Sequence, residues 1–143
     1  MSAYNSANIT DLLSVRDVIE PTAAANTFTT GWLDAGSACQ WMALISAGTV
    51  GTSVDAKIEQ ASDSSGTGAK DLSGAAITQL TAAGSALIEF KPADLDIAND
   101  FDHVRLSITT VGASTVASGH ILSLGHRFEP QAQGSDIDEE VTV

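Results

Sequence analysis

The chain has 143 residues, enough for one globular domain around a single core. Eighteen Asp and Glu against six Lys and Arg give a formal charge of −12, which repels a phosphate backbone and argues against direct nucleic-acid binding. The apolar share is 43%, but the large hydrophobes come singly, far short of the run of about 18 needed to cross a membrane. The N-terminus lacks the basic and apolar regions of a secretory signal, so folding where the chain is made is expected.

In chain order, residues 1–12 read as a small, polar arm. Leu13, Val15, Asp17 and Ile19 then alternate with Ser14, Arg16 and Val18 until Pro21, which predicts a strand near a sheet edge, with a short helix over 11–19 as the alternative. Phe28 to Leu33 is rich in Thr and aromatics and predicts a strand. A turn at Asp34–Ser37 follows, then a strand from Cys39 to Ile45 with Cys39, Trp41, Ala43 and Ile45 on one side. Val54, Ala56 and Ile58 alternate with Asp55, Lys57 and Glu59, the pattern of a half-buried strand with a charged outer face.

Residues 61–70 hold two glycines and no large apolar side chain, as expected of an exposed hairpin tip. Further strands are predicted over 72–80 and 85–91, the second with Ala86, Ile88 and Phe90 on one face and Pro92 ending it. A helical turn over 93–100 precedes the alternation of Val104, Leu106 and Ile108, and a last strand runs from Val116 to Phe128, with a bulge expected at Gly119 or Gly125. Past Pro130 the chain is polar and acidic. Seven or eight short strands without a long helix predict an all-β sandwich or jelly roll over 13–130, flanked by an N-terminal arm (1–12) and an acidic tail (131–143).

Catalytic and metal patterns are sparse. His120 and His126 share a face in a regular strand but stand roughly 20 Å apart, too far for one ion. The carboxylates of Asp94–Asp102 resemble an oxygen-ligand cluster without the spacing of an EF-hand; capping of a solvated turn is the expectation, and cation binding stays open. The glycines of Ser64–Lys70 are too close together for a phosphate loop, and no nucleophile elbow occurs. Cys39 reads as a small buried hydrophobe. Trp32 and Trp41 would stack on sugars if exposed, and burial is expected at least for Trp41. No enzymatic activity and no cofactor are expected.

Three stretches carry a resemblance: Ile58 to Gly74; Ile88 to Asp96 with Phe101 to Ile108; and Gly119-His-Ile-Leu-Ser-Leu-Gly-His-Arg-Phe-Glu-Pro130. Together they resemble a group of small virion structural proteins of tailed phages and prophages, over most of residues 15–130. Such proteins look like capsid decoration or cement proteins. The resemblance implies a chain made in the host bacterial cytoplasm that ends on the capsid exterior, oligomeric on the lattice. Its partners there would be the major capsid protein and neighbouring copies of itself. It brings no catalytic motif.

The termini are the expected contacts: Tyr4, Ile9 and Leu12 in the first arm, and Asp136, Asp138, Glu139, Glu140 and Val143 in the second. The tail acids should meet a basic patch on the partner. A tail or head–tail connector subunit, and a carbohydrate- or receptor-binding β-sandwich module, are the alternatives.

Overall fold

A computed structural model describes residues 8–127 and 131–142. A single helical turn, α1 (Ile9–Leu12), leads directly into β1 (Leu13–Ala23). There follow β2 (Thr27–Thr29), β3 (Leu33–Asp34), β4 (Ala38–Ala47), β5 (Ser53–Ala61), β6 (Lys70–Ala76), β7 (Gly84–Phe90), β8 (His103–Val111) and β9 (Val116–His126). All pairings are antiparallel and form two sheets, β1-β9-β4-β7 and β2-β8-β5-β6, with β3 also on β8. The chain is a β-sandwich.

Alternation builds the core. Val54, Ala56 and Ile58 of β5 face the other sheet, as do Val104, Leu106 and Ile108 of β8, and none is more than 3% exposed. From the first sheet come Trp41, Ala43 and Ile45, Ile88 and Phe90, and Ile121. The Trp41 and Phe90 rings stack 6.2 Å apart at 13°, and the indole N–H donates to the Ala35 carbonyl at 3.0 Å, so the ring is buried without an orphaned donor. Gly119 makes the sheet-to-sheet approach possible: a Cβ there would stand 2.7 Å from both Leu106 Cδ2 and Ile108 Cδ1.

Several expectations need correction. The Phe28–Leu33 run is two short strands, giving nine among the described residues, because the Thr30 hydroxyl takes the Leu106 N–H at 3.0 Å where a backbone carbonyl would continue the ladder. Pro21 does not end β1; the strand crosses it through a register shift between Ile19 and Thr22, which an edge position tolerates. Cys39 is exposed. Ala38 and Trp41 are both buried although three residues apart, so the alternation breaks between them, opposite Gly125, which adopts φ +69°. The same irregularity separates the histidines: His126 is buried with Nε2 2.8 Å from Ser123 Oγ, whereas His120 lies on the outer face.

Candidate binding surfaces

The outer face of the four-stranded sheet is apolar. Opposite the buried residues of β4 stand Met42 and Leu44; their cross-strand neighbours Leu122 and Leu87 are also large and apolar, while Glu89 and His120 complete the pairs. Val15, Leu122 and Met42 form one row across β1, β9 and β4, ended by Glu89 on β7; Val18, His120, Leu44 and Leu87 form the next, and Leu13 with Leu124 lies at the end. Leu87 is 62% exposed, Leu124 39% and Leu44 37%. With Leu13 and Leu124, the apolar positions of these rows make a patch approaching roughly 300 Å² of sheet. That matches the largest apolar patch expected on a monomer, one that often marks a contact site, and it is well under the ~800 Å² per partner of a stable stand-alone interface. A depression of about 200 Å³ opens in it beside Leu13, Met42, Leu122, Leu124 and Glu89.

The outer face of the other sheet is charged and internally neutralised. Lys57 Nζ lies 2.6 Å from Asp71 and 3.5 Å from Glu59, and Arg105 Nε donates to Glu59 at 2.6 Å. Asp71 above all holds the Lys57 ammonium proton more firmly than usual. Arg105 also lies over the Trp32 ring at 4.5 Å, and the β5–β6 hairpin tip closes on that ring so tightly that a Cβ on Gly66 would stand 2.5 Å from Trp32 Nε1. The sandwich therefore has one apolar and one charged outer face.

The run Asp94–Asp102 is dispersed. Asp94 accepts from the Lys91 N–H at 2.8 Å, Asp96 is held by Lys70 and Asn99, and Asp102 lies 2.6 Å from His103 Nδ1. Among the described residues no group of three or more His, Cys, Asp or Glu is placed to share a metal ion.

The acidic tail returns to the free edge of β1. Both main-chain groups of Val15 point at it: the N–H donates to Gln133 Oε1 at 2.7 Å and the carbonyl accepts from the Gly134 N–H at 2.6 Å. The Gln133 amide also donates to the carbonyls of Leu13 at 3.0 Å and Thr10 at 3.3 Å, tying together α1, β1 and the tail. Ser14 Oγ donates to the Ala132 carbonyl at 2.8 Å, and the Val18 N–H reaches Asp136 at 3.3 Å. Any side chain at Gly134 would meet β1 itself, since a Cβ there would stand 2.5 Å from the Arg16 carbonyl oxygen. An unpaired strand edge is a template for wrong pairing, and here it is covered.

Of the residues singled out in the sequence, Tyr4 and Val143 lie outside the described residues. Ile9 is exposed on α1 and Leu12 is half-buried where α1 meets β1. Asp136 packs against β1, next to Asp17 and not next to a cation, while Asp138, Glu139 and Glu140 are exposed beyond it. Sequence reasoning missed Gln133 and Gly134. Only the glycine carried a signal, since glycine marks close approach of one backbone to another.

No protein-family model matches the chain, and no curated protein does. Among solved structures it is similar to the SPBc2 prophage-derived protein YomS, at 13% identity over 78% of this chain and 93% of that one, with a TM-score of 0.46. It is also similar to the CBM22-2 xylan-binding domain of Paenibacillus barcinonensis Xyn10C, at 11% identity over 85% and 96%, TM-score 0.41. A third is the Broad Bean Stain Virus structure, at 9% identity over 85% and 92%, TM-score 0.41.

Proposed function

We propose that this protein is a structural virion protein that docks on the outer surface of a tailed-phage capsid and braces the head lattice. The observation that carries the reading is the pair of unlike outer faces: the apolar rows of β1, β9, β4 and β7 set against the charged, self-neutralised face of β5 and β8. A patch of roughly 300 Å² gives a weak contact by itself. Repeated over many copies on a lattice, weak contacts add to a firm one. The polar, self-neutralised face would then look outward to water, and the chain's net charge of −12 would keep virions apart. The sequence resemblance to phage virion proteins points the same way.

A sugar-binding module would call on an open aromatic platform. Trp41 is in the core, and Trp32 has Arg105 on its face and Gly66 against its edge. That favours docking on protein. Cryo-electron microscopy of virions carrying this protein tests the reading: symmetric density over the head, with the β4–β7 face inward, supports it. Density confined to the tail or portal would replace it with the connector reading.

A further inference from the structure

The hold of the tail on β1 is specific but thin. Only one bond between main chains, Gly134 N–H to the Val15 carbonyl, joins Ala132–Asp136 to the strand; the others use side chains of Ser14, Gln133 and Asp136. This is recognition of a particular segment. It needs a Gln amide long enough to bridge Val15, Leu13 and Thr10, then a residue without a side chain, then a carboxylate two residues further on.

We propose that the groove along β1 is a receptor for the segment Ala132–Asp136, and that in a crowded array it is filled by that segment from a neighbouring copy. The contacts made in cis and in trans are the same, so exchange changes no contact energy, and local concentration decides between them. In dilute solution the chain's own tail wins. Where copies sit side by side, trans filling competes and links them.

The groove is also well placed for this, because Leu13, Val15 and Val18 belong to both the edge strand and the apolar face. Five chain steps separate Arg127 at the end of the sandwich from Ala132, the first docked residue, a reach of about 17 Å. A donor copy must therefore bring the end of its β9 within that distance of the acceptor's β1. The inference does not rest on the virion reading and is tested without virions.

The test uses two full-length variants. A ¹⁵N-labelled Gly134→Val chain has a groove but a tail that cannot enter it, and an unlabelled Val15→Pro chain has the native tail but lacks the N–H that donates to Gln133 Oε1. Mixing them to ~1 mM, the scale of concentration at which linked sites meet, is expected to shift the Val15 and Val18 amides of the labelled chain saturably. Their hydrogen exchange should slow by at least about fivefold. The double variant Val15→Pro/Gly134→Val, used as donor, should do neither. Sedimentation of the native chain at the same concentration removes any dependence on the folding of Val15→Pro: a dimer fraction is expected that Gly134→Val abolishes. Unchanged amides together with a monomeric native chain would overturn the proposal.

Discussion

The carboxylates of Asp17 and Asp136 converge on one donor: the Val18 N–H lies 2.8 Å from Asp17 Oδ1 and 3.3 Å from Asp136 Oδ2. Asp17 comes from β1 and Asp136 from the tail, so this shared hydrogen is one of the points where the sandwich and its acidic extension meet. Asp17 Oδ2 also accepts from the Gly31 N–H at 2.7 Å. Partial burial, and then the bond to Asp136, raise the Asp17 pKa above the ordinary aspartate value of 3.8.

The sign of the pH effect follows. Folded Asp17 binds its proton more tightly than the unfolded chain does, so its contribution to stability is full below about pH 3.8 and is lost as pH rises through the elevated folded value. Docking of the tail should therefore loosen across that window, seen as faster exchange of the Val15 amide after correction for intrinsic rates. Asp63, whose carboxylate is stabilised by bonds from Thr67, and Asp96, stabilised by Lys70, act in the opposite sense. The informative comparison is hence native against Asp17→Asn. The variant should show a flattened pH profile at Val15, and an unchanged profile would remove Asp17 as the cause.

Leu44 and Ile45 are neighbours on β4 with opposite fates. Ile45 is fully buried, and Ile45→Ala should destabilise the sandwich by about 2–5 kcal/mol. Leu44→Asp, 37% exposed on the outer face of a central strand, should cost only about 1 kcal/mol. Binding to heads that lack this protein, measured by co-sedimentation, should nonetheless fall at least tenfold for Leu44→Asp paired with Leu87→Asp. Full binding by a folded double variant would exclude the apolar face as the docking surface.

Gly66 combines φ +84° with contact against the Trp32 indole. Gly66→Val introduces both left-handed strain and a collision, together about 2–4 kcal/mol at the hairpin tip. The ring should be pushed off Arg105, with a change in Trp32 fluorescence and thermal unfolding at lower temperature. Trp41, held in the core by Ala35 and Phe90, should keep its own signal. The two contributions separate in a Trp41→Phe background, and an unchanged Trp32 spectrum there would contradict the close approach.

Cys39 gives the quickest check of the β4 irregularity. Its exposed thiol should react with a maleimide in the native chain within minutes, at a rate close to that after denaturation. Protection of the thiol until unfolding would mean that the regular alternation read from the sequence holds after all.

The sequence by itself determined which segments are strands wherever apolar and polar residues alternate. Val54, Ala56 and Ile58 between Asp55, Lys57 and Glu59, and Val104, Leu106 and Ile108 between His103, Arg105 and Ser107, leave only one way to turn a pleated strand toward a core, because the choice is made locally between water and apolar surroundings. On β4 alternation also puts Trp41, Ala43 and Ile45 together on the buried side, but Met42 and Leu44 on the other side are as apolar, and only the packing of the second sheet leaves them as an outer surface. The exposure of Cys39 depends likewise on the backbone of Gly125 across the ladder, and the groove of β1 on Gln133 and Gly134, more than 100 residues away. These features rest on pairings between distant parts of the chain. A local pattern carries no term for such pairings, and they exist only once segments distant in sequence have come together.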